Sequence, residues 1–295
     1  MSLFSIAGLS VPDFAGLIHS PLAVLGVLSL LVLGAGIWGV RKYRSLSGEI
    51  KNVTTCGYIA PPPTPEKVRS LNRVARFFIW LQVGKVRYEG LENLHNLKEP
   101  SIVSANHPHW IDPLIISQAV NGPARYMAHG RVMQSLGGLF GVYLSRRGVF
   151  AAQDNIKDHG VRTREAATQM LTSGQQMVIF PEGLTNFSPA IEDLRPGNVK
   201  VAREAAIRLG KPVYIVPAYT RYGRYPGKWL SKLDRAVQYF VVLFGFALYR
   251  RHAVCTIGKP ISTEELYGPT LNERTDDEAM ALLKERLVSL DPTHV

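Results

Sequence analysis

The sequence predicts an α/β domain, a largely parallel or mixed sheet flanked by helices, carried behind an N-terminal membrane-anchoring helix. Three observations predict it. From Pro100 onward, short apolar runs alternate with helical ones, the pattern of consecutive βαβ units. Residues able to do chemistry follow several of those runs directly, where an α/β sheet presents its functional groups. Finally, Pro21–Val40 holds 20 residues without a charge, enough as a helix to cover the roughly 30 Å hydrocarbon core of a bilayer.

The anchor is assigned to residues 1–45. No Lys or Arg precedes the apolar run and no small-residue cleavage site closes it, which argues against a signal peptide and leaves a buried core helix as the alternative to an anchor. Asp13 lies before the run, and Arg41, Lys42 and Arg44 lie after it, so the rest of the chain is expected on the cytoplasmic side as a single-pass protein. The net charge of +11 suits an anionic membrane surface; the basic residues are dispersed and form no nucleic-acid-binding module. Two cysteines, Cys56 and Cys255, support no disulfide framework.

Residues 46–98 read as a linker and a membrane-interface helix. Ser45–Glu66 is polar and then proline-rich (APPPTPE), a linker composition. Val68–Val86 carries Phe77, Phe78, Ile79, Trp80 and Leu81 between Arg73, Arg76 and Lys85. That composition fits a helix at the headgroup level, and equally one packed on a core. Residues 99–295 form the α/β domain. Strands are expected at Ser101–Ala105, Arg125–Ala128, Phe140–Leu144, Gln176–Phe180, Val213–Val216 and Ala253–Ile257. Helices are expected at Pro113–Val120, Asp154–Ser173, Asn198–Leu209 and Asp276–Leu287, with Gly174 and Gly210 as stops. Val237–Tyr249 is apolar over 13 residues, too short to span, and reads as a buried element or an acyl-chain tunnel.

The most informative segment is Asn106-His-Pro-His-Trp-Ile-Asp-Pro113. Pro108 keeps His107 out of the α region, so the chain turns after the first strand. Across such a turn the Asp112 carboxylate can fold back onto the imidazole, giving a general base of fixed tautomer. Asp112 also reads as a helix N-cap. Phe180-Pro-Glu-Gly183 ends another strand; Glu182 could bind an acceptor hydroxyl or hold a nearby arginine, and the Gly183 N–H could face an anion or an oxyanion. In Tyr143-Leu-Ser-Arg-Arg147 the forks of Arg146 and Arg147 suit a phosphate monoester. Arg195-Pro-Gly197 precedes a helix whose N-terminus favours an anion.

With these blocks in this order, the chain resembles the lysophosphatidic acid acyltransferase family, within the glycerolipid acyltransferases that carry an N-H-x4-D motif. His107 and Asp112 match the catalytic pair, with Asn106 before them. Tyr143–Arg146 resembles the second block, Phe180–Gly183 matches the third and Ile215–Ala218 resembles the fourth. The resemblance implies a glycerol-3-phosphate acyltransferase-like fold and a membrane lipid acceptor. It also implies acyl-CoA or acyl carrier protein as donor, with no acyl-enzyme, metal or bound cofactor. His107 would deprotonate the acceptor hydroxyl, and Asn106, Arg146, Arg147, Glu182, Gly183 and Arg195 would bind substrate. Two positions depart from the pattern. Leu184-Thr185-Asn186 follows FPEG where the family continues Thr-Arg, which opens another lysophospholipid or lipid alcohol, or a transacylase reaction, as the alternative. His109 stands where Ser or Gln is common and reads as an exposed bystander, with a back-up base as the alternative.

A metallohydrolase using His107, His109 and Asp112, with His129 and Glu182 as further ligand types, is the competing enzyme class, although no second ligand cluster follows in the sequence. A serine lipase is excluded by the absence of G-x-S-x-G. A non-enzymatic membrane scaffold or lipid carrier is the third class.

Overall fold

The computed structural model describes residues 21–120, 122–152, 159–191, 193–225, 227–234, 237, 241 and 252–291. The chain divides into two compact units, Met1–Gly48 and Glu49–Val295. Helix α1 spans Pro21–Val53. Among the described residues no helix is long and apolar enough to cross a membrane. Part of the uncharged run, the side chains of residues 21–24, 26–28 and 31, lies outside those described. Of the remainder, Leu30, Val32, Leu33, Ile37, Trp38 and Val40 are exposed.

The linker expected over Ser45–Glu66 is corrected. It is helical to Val53, and Val53, Cys56 and Ala60 are buried; apolar side chains at those three positions give the segment a reason to pack. Helix α2 (Pro65–Gln82) starts on Thr64, whose hydroxyl accepts from the Lys67 N–H, with Pro65 in the first turn. It buries Ala75, Ile79 and Gln82 and exposes Val74, Phe77 and Trp80 on its other side.

Eight strands form one mixed sheet among the described residues: β1 (Val86–Glu89), β2 (Ser101–Ala105), β3 (Ala124–His129), β4 (Val149–Ala152), β5 (Gln176–Ile179), β6 (Tyr214–Tyr222), β7 (Ala253–Ile257) and β8 (Ile261–Ser262). Their order is β1-β7-β6-β2-β5-β3-β4, with β8 paired to β6. Strands β6, β2, β5, β3 and β4 run parallel; β7 is antiparallel to β6, and β1 is parallel to β7.

The intervening helices are α3 (Glu92–His95), α4 (Asp112–Val120), α5 (Gly130–Met133), α6 (Leu139–Ser145), α7 (His159–Thr172), α8 (Gly197–Leu209), α9 (Thr263–Tyr267) and α10 (Asp276–Val288). Both sheet faces are covered, so successive strand residues enter different cores. Val103, Val178 and Val216 pack with Ala75, Ile79, Ile115 and Ile116 of α2 and α4. Ile102, Met177, Ile179 and Ile215 pack with Ala167, Met170, Val199, Ala202 and Leu283 of α7, α8 and α10. The central strands are apolar on both faces for this reason.

One correction decides where the site lies. The strand expected at Phe140–Leu144 is helix α6, and the strand begins only at Val149. Gly141 lets α6 press against the preceding turn: a Cβ there would stand 2.1 Å from the Met133 carbonyl oxygen. Gly148, at φ +97°, turns the chain into β4, where a Cβ would meet the Ala124 carbonyl at 2.2 Å. Arg146 and Arg147 therefore precede their strand. Most of the Val237–Tyr249 stretch and residues 153–158, the start of the helix expected from Asp154, lie outside the described residues.

Candidate active site

Strand β2 is buried at all five residues and delivers His107 at its carboxyl end. Asn106 ends the ladder by binding the β6 backbone in both senses. Its amide nitrogen donates to the Thr220 carbonyl at 3.1 Å, and its oxygen accepts from the Thr220 N–H at 2.7 Å. Asn106 is buried and fixes the turn; the substrate contact expected of it is corrected, because both ends of its amide are taken.

The turn brings the His107 ring onto Asp112. His107 Nδ1 lies 3.0 Å from Asp112 Oδ2, with the histidine side chain 15% exposed and the aspartate fully buried. The same Oδ2 accepts from the His109 N–H at 2.7 Å, while Oδ1 accepts from the Tyr222 hydroxyl. The first amides of α4 bond elsewhere, Leu114 and Ile115 to the Ile111 carbonyl. Asp112 thus turns back to the loop, which decides between the two roles the sequence allowed it. Burial pushes its carboxyl pKa up, and the donors from His107, Tyr222 and His109 act against that. With Nδ1–H given to Asp112, Nε2 of His107 is the proton-accepting nitrogen. It faces the Thr185 hydroxyl at 3.3 Å, and the ring packs on Phe180 with centroids 4.5 Å apart.

The FPEG segment clasps this loop. Glu182 accepts from the His107 backbone N–H at 2.7 Å through Oε1 and from the Asn186 amide through Oε2. Asn186 returns its own N–H to the His107 carbonyl at 3.2 Å and holds Ala190 and Ser188. Glu182, expected to bind an acceptor hydroxyl or hold a nearby arginine, uses both carboxylate oxygens to join two strand-end loops. Gly183, at φ +75°, donates its N–H to the Phe180 carbonyl at 3.0 Å, so that N–H closes the turn rather than facing an oxyanion. What Gly183 provides is room, because a Cβ would lie 3.3 Å from the Arg195 guanidinium carbon. Arg195 is thereby stationed beside the clasp, just before α8.

Arg146 and Arg147 are not part of this arrangement. They precede β4, whose start, Val149, pairs with Tyr126 in β3, so they stand at the amino ends of the parallel strands. His107 and Glu182 stand at the carboxyl ends. Arg146 makes a two-pronged bond to Glu49, 2.8 Å at its Nε, and Arg147 stacks 3.6 Å over the Tyr143 ring. Strand direction thus places both arginines at the opposite end of the sheet from His107.

His109, read as an exposed bystander, is buried. Its Nδ1 accepts from the Ile111 N–H at 3.2 Å, and burial, together with the neighbouring His107, pushes its pKa down to about 3. Among the described residues no group of three His, Cys, Asp or Glu stands where it could hold a metal ion. Sequence reasoning missed Tyr222, Asn186 and Thr185 as partners of the dyad and its clasp. Asn186 and Thr185 were visible as departures from the family pattern, but Tyr222 gave no signal.

Residues 85–221 match the family model described as Acyltransferase. A relative described as a probable 1-acyl-sn-glycerol-3-phosphate acyltransferase, from Mycoplasma genitalium, is 26% identical over 171 residues. That alignment covers 56% of this chain and 61% of the relative's length. The crystal structure of the 1-acyl-sn-glycerophosphate (LPA) acyltransferase PlsC from Thermotoga maritima superposes with a TM-score of 0.50 and 19% identity, over 76% of this chain and 80% of that one. That likeness concerns the fold. The stretch that matches the acyltransferase model, residues 85–221, holds the histidine–aspartate dyad and most of the strand-end clasp, and it is in this stretch that the chain is similar to that family.

Proposed function

We propose that this chain is a membrane-bound O-acyltransferase that carries a fatty acyl group from acyl-CoA or acyl carrier protein to the hydroxyl of a lysophospholipid, converting lysophosphatidic acid to phosphatidic acid. One observation carries the reading: an imidazole held through Nδ1 by a buried carboxylate, with Nε2 left to take a proton. In the proposed reaction Nε2 of His107 removes the acceptor's hydroxyl proton as that oxygen attacks the thioester carbonyl. The tetrahedral adduct then expels the thiolate, which takes the proton back from the imidazolium. Asp112 stabilises the imidazolium between those steps. The chemistry uses no metal and no bound cofactor.

Arg195, beside Gly183 at the carboxyl ends of the strands, is the cation we assign to the acceptor phosphate. Thr185 stands where the family pattern has arginine, and Arg146 lies at the other end of the sheet. This favours the second reading, a different lysophospholipid or a lipid alcohol as acceptor. The exposed apolar residues between Leu30 and Val40 support membrane attachment, and Arg41, Lys42 and Arg44 support a cytoplasmic catalytic domain.

The test is acyl transfer by detergent-solubilised protein, wild type beside His107→Ala, with labelled acyl-CoA or acyl carrier protein and a panel of acceptors. Phosphatidic acid formed from lysophosphatidic acid, and reduced by about 10²–10⁴-fold in the variant, is the expected result. Product from another acceptor alone moves the substrate and keeps the mechanism. Equal inertness of both proteins with every donor and acceptor rejects the reading.

A further inference from the structure

The carboxylate of Asp112 has a donor that the histidine–aspartate motif does not contain. Tyr222 is the last residue of β6, paired with Ala253 at the start of β7. It is 7% exposed and sends its hydroxyl to Asp112 Oδ1, the oxygen that His107 does not use. The ring is fixed on two sides. His109 lies against it with centroids 5.4 Å apart, and Tyr225 meets it edge-on at 5.9 Å while accepting the Tyr222 backbone N–H at 3.2 Å. Tyr222 therefore reaches the dyad only from behind, with Asp112 between it and the imidazole.

We propose that Tyr222 is a positioning residue of the dyad: its hydroxyl fixes the Asp112 carboxylate with Oδ2 toward His107 and keeps the dyad unprotonated at working pH. This inference rests on the reading of His107 as general base. A hydrogen bond donated to a buried anion stabilises the charged form. The resting dyad, neutral imidazole beside carboxylate, carries one negative charge that the first added proton cancels. Tyr222 therefore favours the state before protonation, and removing its hydroxyl raises the dyad's apparent pKa, whichever atom takes the proton.

The neighbours make that effect readable. Facing Tyr222 are Asp112 at the start of α4, His109 from the loop after β2, Tyr225 from the loop after β6, Cys255 from β7 and, beyond it, Tyr88 from β1, with His107 behind Asp112. His109 titrates at about 3, and burial pushes Cys255 and Tyr225 up to about 12 and Tyr88 higher still. Arg221 lies within electrostatic reach of Tyr225.

The experiment is the pH profile of kcat/KM for the full-length enzyme, wild type beside Tyr222→Phe. Activity needs the deprotonated base, so it falls as pH drops through the dyad's pKa. In Tyr222→Phe that acid limb moves to higher pH by roughly one unit. At the optimum kcat drops about tenfold, while KM for the acceptor stays the same because the tyrosine does not touch substrate. Site-specific 3-fluorotyrosine at 222, a more acidic phenol of nearly the same shape, moves the limb the opposite way and decides the matter if Tyr222→Phe fails to fold. Limbs that coincide with wild type in the folded variants overturn the proposal, as does a change in KM alone. Failure of the underlying reading is distinguishable, because His107→Ala would then keep wild-type activity.

Discussion

At the carboxyl ends of β2, β5 and β6 the polar side chains converge on one imidazole, whereas at the amino ends of β3 and β4 they tie neighbouring segments together. The first group joins Asp112, Glu182, Asn186 and Tyr222 around the His107 loop. The second includes Arg125, bonded to Gln175 and the Ala60 carbonyl, Arg146 on Glu49, and Arg147 on Tyr143. Arginine is as able to bind phosphate at one end as at the other. What separates them is strand direction: the carboxyl ends lie beside the His107 imidazole, and there the buried Asp112 carboxylate is held by three partners.

The clasp is where breaking that convergence should matter most. In Glu182→Gln the new amide can accept from the His107 N–H only by turning its NH2 toward the Asn186 NH2, so one contact is lost either way. The expected outcome is a roughly 10- to 100-fold fall in kcat for a displaced base, with acceptor KM within a few-fold of wild type. If KM rises instead and kcat holds, Glu182 meets the acceptor after all, and the clasp is secondary.

Much of the first region was legible, for identifiable reasons. Ser101–Ala105 and Ala253–Ile257 form strands with the expected bounds, being short, largely apolar runs bounded by Pro100 and Asn106 and by His252 and Gly258. Pro108 and Pro113 restrict the loop between them so strongly that the approach of Asp112 to His107 followed from local stereochemistry. The second region was not legible. LFGVYLS has seven residues and no polar face, so its period cannot tell helix from strand. The reason it is helical, close packing of Gly141 on the Met133 carbonyl, exists only in the folded chain. Tyr222 failed differently. It lies 110 positions from Asp112, and only the neighbouring of β2 and β6, with β6 running on past Pro217, brings them together.

The two histidines of the loop sharpen the contrast within the carboxyl-end region. His109 titrates at about 3 when folded because burial disfavours its charge, against about 6.5 when unfolded. Between those values the unfolded chain binds the extra proton. This contribution to stability is therefore complete above about pH 6.5 and declines as pH falls, by up to about 1.4 kcal/mol per unit. Urea melts from pH 7.5 to 4.5 should show this slope in wild type. His109→Gln, which cannot titrate, should start less stable and decline less steeply over that range. Equal slopes would mean that His109 is charged or solvated in the native state.

The smallest effect is expected from Arg146, and its smallness is the point. Its bond to Glu49 joins two partly exposed side chains, 44% and 31% accessible, so Arg146→Met should cost less than about 1 kcal/mol in a thermal or urea melt. With Arg146 at the amino end of β4, acceptor KM should change less than about twofold for a phosphate-bearing lipid, while guanidinium loss at a true phosphate site costs about tenfold or more. A larger rise in KM, in protein that melts like wild type, would place the acceptor phosphate at the amino ends of the strands. The head group would then have to reach around the sheet from the base that activates its hydroxyl, and the separation of the two ends would no longer describe the site. An unchanged KM leaves the phosphate to groups at the carboxyl ends, where Arg195 stands against Gly183.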